Sequence, residues 1–336
     1  IKDMAEVNVR MTAKPLATMI GLTNVCNLQC VFCPYCGVCT KKVNVKQEIS
    51  EENLEKISEL FPTTEFLNPS LRGEPFLYSH FDEFIEYCRE GDVLSKTQLI
   101  NNGTQIQRYD LGKLNGTNII SISFDAADKE TFEILRVGAK FDQVLSNMDR
   151  LRTELPNTVL QVTVVVCRLN LQQLADIYSI ARDRNFNYIT FNTVYGSQDD
   201  KVIELLRLRD SDRSLFEEQM KEIEKRNSDQ KMTVMNVTTF DGFEGGVVLD
   251  YQKIVDELKK LREQEPYLDF DEDYDITHEN RRVHKECSCS TINKTKLPYC
   301  TAPWHLISIM PNGNISPCCA SFGTIGNLSD CEKIEG

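Results

Sequence analysis

Three cysteines, Cys26, Cys30 and Cys33, stand at C-x3-C-x2-C spacing in the stretch NVCNLQCVFCPYC, with Cys36 and Cys39 close behind. Thiols gathered this tightly mark one short loop as a cradle for soft metal ions, and the surrounding fold has to present that loop. The chain has 13 Cys among 336 residues, and six more fall in its last fifty: Cys287, Cys289, Cys300, Cys318, Cys319 and Cys331. Disulfide frameworks belong mostly to short extracellular domains, so clustering in a chain of this length favours metal ligation. Three thiolates on a short loop suit three irons of a [4Fe–4S] cluster and leave one iron without a protein ligand. The competing reading is a zinc knuckle with Cys36 or Cys39 as fourth ligand. Zinc sites usually pair two C-x2-C hairpins, which this spacing suits poorly.

Strand and helix signals alternate around the loop. TMIGLT (18–23) reads as a strand, and SEENLEKISELF (50–61) as a helix opened by Ser50 with acids in its first turn. TEFLNP (64–69), KTQLIN (96–101), NIISISF (118–124), LQVTVVV (160–166) and YITFNT (188–193) supply five more strands. Helices are expected at 79–90, 106–113, 129–136, 141–153 and 171–184. In the first of these Phe81, Phe84, Ile85 and Cys88 share one face, which makes Cys88 a core thiol. Six strands alternating with helices imply a parallel sheet in right-handed βαβ units, an α/β fold that falls short of a closed eight-fold barrel. Chemistry in such sheets sits beyond the carboxyl ends of the strands.

The alternation divides the chain into a lead-in (1–16), an open or partial barrel (17–195), a helical and acidic connector (196–285) and a Cys-rich end (286–336). Helices are expected in the connector at 212–226 and at 251–263, the latter with Tyr251, Ile254, Val255, Leu258 and Leu261 at helical spacing. In the last segment HLISIM, the turn PNGN and ISP signal a β-hairpin. Within the barrel, alternation puts Ser121, Ser123 and Asp125 on one face of the fourth strand, and Ile120, Ile122 and Phe124 on the other. A helix-covered strand needs its apolar face outward, so the polar face looks into a cavity. The fifth strand likewise turns Gln161, Thr163, Val165 and Cys167 inward.

These motifs closely resemble the radical S-adenosylmethionine (SAM) superfamily, whose hallmark is C-x3-C-x-aromatic-C after the first strand of a partial (β/α)6 TIM-type barrel. Phe32 fills the aromatic position. The resemblance covers roughly residues 17–195. It implies that Cys26, Cys30 and Cys33 ligate a [4Fe–4S] cluster whose open iron is chelated by SAM, with Phe32 beside the adenine. Gly73 and Glu74 in LRGEP stand where the family binds the SAM amino group, though Arg72 replaces the first glycine of its Gly-Gly-Glu-Pro. The family's ribose contact transfers to Ser123 and Asp125; for Asp125 the alternative is an N-cap of the next helix. Arg136 stands where relatives often hold the SAM carboxylate, the alternative being a solvated helix end. Asn102 in NNGT approaches the methionine part or the substrate, and Asn192, with Thr190, faces the ligand from the sixth strand. Cys167 is a candidate hydrogen-atom donor, as in some family epimerases, against the plainer reading of an inert buried thiol.

The run Cys300, Gly313, Cys318 (C-x12-G-x4-C), with Trp304, resembles the opening of the SPASM and shorter twitch extensions, which hold auxiliary [4Fe–4S] clusters. One auxiliary cluster is expected on Cys300, Cys318, Cys319 and Cys331, with Cys287 or Cys289 as alternative ligands, and a zinc site as its rival.

The resemblance implies reductive cleavage of SAM to a 5′-deoxyadenosyl radical that takes a hydrogen atom from the substrate. A net charge of −13, from 51 acids against 38 bases, argues against a nucleic-acid partner and suits a neutral or cationic substrate. No run of about 18 apolar residues occurs, so no membrane span is expected. The expected substrate is a small molecule, a sugar or aminoglycoside-like polyol undergoing dehydrogenation or epimerisation. The alternatives are a peptide maturase acting on a precursor peptide, and a non-catalytic zinc- or Fe–S-stabilised binding protein. Only 17 residues precede the first strand, which leans away from the leader-binding module of many maturases. Low-potential clusters imply a reducing cytoplasmic setting and a flavodoxin- or ferredoxin-type electron donor.

Overall fold

The computed structural model describes residues 14–33, 46–194, 201–238, 240, 251–264, 306–316 and 326–330. Among the described residues, seven parallel strands form the wall of an open barrel: β1 (Ala17–Ile20), β2 (Phe66–Asn68), β3 (Gln98–Asn101), β4 (Ile119–Ser123), β5 (Val159–Val166), β6 (Tyr188–Thr193) and β7 (Thr233–Val237). A bridge between Leu67 and Thr97 joins the β1–β2 sheet to the sheet running from β3 to β7. Registers such as Ser121 with Gln161, and Thr163 with Thr190, keep side chains of like direction level across neighbouring strands.

The connecting helices cover the outer face because their apolar residues recur on one side. The helix Phe81–Glu90 buries Phe81, Phe84, Ile85 and Cys88, as the spacing predicts. Each such burial contributes roughly 1.5–3 kcal/mol. Ser50 caps the helix Glu51–Ser58 by accepting from the Asn53 N–H at 3.2 Å. Phe124 packs 5.0 Å from Phe132 and 5.7 Å from Phe141, which sets the apolar face of β4 against the helices Lys129–Leu135 and Phe141–Glu154.

Four local expectations change. The helix read at 106–113 is two 3-10 turns, Ile106–Arg108 and Leu111–Leu114, because Asp110 turns its carboxylate onto the Gly112 N–H at 3.0 Å. The helix read at 171–184 opens with a 3-10 turn, Leu171–Gln173, before Leu174–Asp183. The connector also holds a short helix, Lys201–Leu206, and the strand β7. β7 carries no buried alternating face, and that is why its sequence gives no strand signal.

The expected hairpin is present as β8 (Leu306–Ile309) and β9 (Asn314–Ser316), with Gly313 at φ 80° in its turn. Its first strand pairs in parallel with β1, from Ala17 opposite Leu306 to Ile20 opposite Ile309, and β10 (Gly326–Asn327) adds antiparallel to β9. The hairpin thus extends the wall beside the strand that feeds the cysteine loop.

Candidate active site

The loop leaving β1 is held along its length by backbone hydrogen bonds. The Gly21 N–H donates to Ile309 O at 2.7 Å, and the Asn24 N–H to Gln47 O at 3.0 Å. Further along, the Gln29 N–H reaches Val137 O at 2.9 Å and the Val31 N–H reaches Leu135 O at 3.0 Å. The segment after the helix Lys129–Leu135 therefore runs beside the cysteines, and Arg136 leaves helical geometry (φ −110°, ψ 69°) to do so.

Donors converge on the sulfurs. Cys26 Sγ lies 3.5 Å from the Leu28 N–H nitrogen and 3.8 Å from Asn102 Nδ2, and Cys30 Sγ lies 3.8 Å from Arg136 Nη1. Burial, with Glu74 adding to it, pushes the Cys26 thiol up to about 12, and burial pushes Cys30 up to about 11 against the pull of Arg136. Thiols this reluctant to ionise become thiolates when a metal takes the charge. Cys36 and Cys39, the other thiols of the knuckle reading, lie outside the described residues, as do Cys287, Cys289, Cys300, Trp304, Cys318, Cys319 and Cys331.

Gly73 and Glu74 sit against this loop. At φ 65° a Cβ on Gly73 would lie 2.4 Å from Thr23 O and 2.7 Å from Val25 O, so no other residue fits. The neighbouring Glu74 N–H donates to Val25 O at 2.8 Å. Glu74 is only 2% exposed; its Oε2 accepts from the Asn102 N–H at 2.9 Å, while Oε1 is buried and makes no hydrogen bond among the described residues. Burial pushes its carboxyl up to about 7, with the N–H groups of Asn102 and Phe76 and the Arg136 charge opposing. A buried carboxylate oxygen with an unfilled lone pair is an acceptor suited to an ammonium group.

The segment NNGT fastens the same loop from β3. Asn102 Nδ2 donates to Asn27 Oδ1 at 3.0 Å, and Asn27 Nδ2 donates to Thr104 Oγ1 at 2.8 Å. Asn27 is a residue that the motif reading missed, since it occupies one of the variable positions between Cys26 and Cys30.

Inside the barrel the polar faces meet as alternation requires. Ser121 Oγ and Thr163 Oγ1 are 2.7 Å apart; Gln98 Nε2 donates to Gln161 Oε1 at 3.0 Å, and Gln161 Nε2 to Thr190 Oγ1 at 2.7 Å. Ser123, Thr163 and Asn192 are half-buried towards the carboxyl ends. Asp125 is not the N-cap of the next helix, the alternative its position offers. It is fully buried, Oδ1 accepts from the Val165 N–H at 2.7 Å, and Oδ2 lies 2.5 Å from Arg136 Nε. The N-cap of the next helix is Asp128, which accepts from the Thr131 N–H at 2.9 Å. Both Asp125 oxygens are engaged within the protein.

Arg136 is no solvated helix end: it is 6% exposed, ion-paired, and 5.8 Å from the centroid of the buried Phe32 ring. Burial works against its charge, and Asp125 and then Cys30 more than restore it. Cys167, one residue past β5, is fully buried, and burial pushes its thiol up to about 12. Its N–H donates to Asn170 Oδ1 at 2.8 Å, while Asn170 Nδ2 donates to Asp125 O at 2.7 Å and Val165 O at 2.9 Å. Asn170, a second missed residue, ties together the ends of β4 and β5; its only sequence signal is an Asn just ahead of a helical run.

Residues 20–181 match the family model described as the radical SAM superfamily. Among solved structures, Streptococcus suis SuiB bound to S-adenosylmethionine aligns with TM-score 0.63 and 15% identity, over 97% of this chain and 66% of that one. SuiB bound to the precursor peptide SuiA aligns with TM-score 0.59 and 14% identity, over 95% and 62%. A His-tagged anSMEcpe with bound AdoMet aligns with TM-score 0.59 and 16% identity, over 94% and 76%. At these identities the likeness is one of fold, and the chain spans just under two thirds of the length of SuiB.

Proposed function

Residues 20–181 form a radical SAM domain, and on that premise we propose that this enzyme uses SAM to abstract a hydrogen atom from a polar substrate held at the carboxyl ends of its strands. The cofactors of the family are a [4Fe–4S] cluster and SAM. When bound, the reduced cluster supplies the electron that cleaves the SAM sulfonium to methionine and a 5′-deoxyadenosyl radical, which takes the substrate hydrogen.

The observation that carries the reading is Glu74 Oε1, buried with no hydrogen bond among the described residues, on a carboxylate coupled through Asn102 to Cys26. Cys26, Cys30 and Cys33 hold the cluster, and Glu74 accepts from the SAM ammonium. Gly73 lets the backbone pass close enough to place that carboxylate. Arg136 turns its remaining Nη2 to the SAM carboxylate, Phe32 flanks the adenine, and Ser123 and Asn192 receive the ribose. An auxiliary [4Fe–4S] cluster on Cys300, Cys318, Cys319 and Cys331 belongs to the same proposal, with a flavodoxin- or ferredoxin-type protein as electron donor.

Hydroxyl and amide groups lining the barrel interior support a hydroxyl-rich small molecule as substrate, undergoing dehydrogenation or epimerisation. A second reading, a precursor peptide, is supported by the whole-chain likeness to the SuiB complex with SuiA. Anaerobic protein reconstituted with iron and sulfide, reduced with dithionite and given SAM, is expected to release 5′-deoxyadenosine; its absence would sink the reading. Deuterium carried into 5′-deoxyadenosine from a labelled aminocyclitol supports the first substrate class, and from a labelled peptide alone the second.

A further inference from the structure

We propose that Arg136 is a positioning residue for the loop cluster itself: anchored by Asp125, it donates from Nη1 to Cys30 Sγ and raises the reduction potential of the cluster. The proposal rests on the cluster reading of Cys26, Cys30 and Cys33. The guanidinium is held from three sides. Asp125 Oδ2 lies 2.5 Å from Nε, Cys30 Sγ lies 3.8 Å from Nη1, and the Phe32 ring centroid lies 5.8 Å from Cζ.

Its backbone is equally fixed. The Arg136 N–H donates to Phe132 O at 2.8 Å, and its neighbours Leu135 and Val137 accept from Val31 and Gln29 of the cysteine loop. Gly138 at φ 97° lets the segment run close, since a Cβ there would lie 3.2 Å from Asn27 O. Asp125, in turn, is held by the Val165 N–H, so the guanidinium has little freedom to leave Cys30. Only this cation, among the groups whose hydrogen bonds to the loop sulfurs are described, reaches a thiol; the donors to Cys26 are a backbone N–H and a carboxamide. A fixed positive charge and an N–H donor on a ligating sulfur both stabilise the more negative, reduced state of a cluster. Burial strengthens the effect, because little water screens the charge.

The test uses the full chain reconstituted anaerobically with iron and sulfide, without SAM or substrate, and an EPR-monitored redox titration. The loop signal is assigned by its loss in the C26A/C30A/C33A variant. Arg136→Gln is expected to load iron and sulfide like the parent and to titrate at a more negative midpoint, and Arg136→Lys, which keeps charge but not the fork, to shift less. An unchanged midpoint in Arg136→Gln overturns the proposal, as would an unloaded loop in both variants with the parent's circular dichroism and melting profile. If the parent loop itself holds no cluster, the radical SAM reading of the three thiols fails first.

Discussion

The backbone N–H of Asn102 donates to Glu74 Oε2 at 2.9 Å, fastening the end of β3 to the turn that follows β2, while Glu74 Oε1 is buried and makes no hydrogen bond among the described residues. This bond ties one carboxylate oxygen to the scaffold. With the other accepting from the SAM ammonium, as proposed, SAM affinity should depend on pH. Glu74 must ionise, which occurs as pH rises through about 7, whereas the SAM ammonium, like other α-amino groups at about 7.7–8.0, discharges above that range. Anaerobic equilibrium dialysis is expected to give a narrow bell. Glu74→Gln should lose the acid limb and weaken binding on the order of ten-fold or more, the worth of one charge-assisted hydrogen bond. A variant that keeps both affinity and bell would remove Glu74 from the site.

Gly73→Ala forces a methyl group against Thr23 O and Val25 O at a positive φ. A cost of about 1–3 kcal/mol or more is expected from the backbone strain alone. Thermal unfolding of the cluster-free protein measures it directly, and a melting curve like the parent's would show that the loop has room to move.

Iron and sulfide analysis separates the thiols by role. Serine at Cys26, Cys30 or Cys33 should remove one cluster's worth of iron. Alanine at Cys88, buried in the helix Phe81–Glu90, should leave the iron count unchanged and lower stability by about 1–3 kcal/mol. Equal iron loss at all four positions would contradict the assignment.

Asn170→Ala leaves the Cys167 N–H and the Asp125 and Val165 carbonyls without their side-chain partner. Each buried orphan costs about 1–3 kcal/mol, so a clear drop in the denaturant midpoint is expected. A surface control such as Lys225→Ala, at an exposed pair, should move it by less than about 0.5 kcal/mol.

Periodicity and motif spacing made much of this legible. The alternation in NIISISF places Phe124 among phenyl rings on the helix side and Ser121 against Thr163 within the barrel. The helix Phe81–Glu90 was readable for the same reason, since its buried positions follow from its own sequence. β7 was not, because an exposed edge strand needs no apolar alternation. Asp125 shows the limit most clearly. Its place at the end of a cavity-facing strand is local information; that its carboxylate is taken by Arg136 and Val165 depends on partners 11 and 40 residues away.

By itself, then, the sequence determined the cysteine loop, the strands that carry it and the inward polar face, because spacing along one element dictates which side chains share a side. Tertiary structure decided that β8 stands next to β1, that Glu74 is buried with an unfilled oxygen, and that Arg136 faces Cys30. Those outcomes depend on which distant segments exclude water from one another, and desolvation and ion pairing have no period that a single stretch of chain could display.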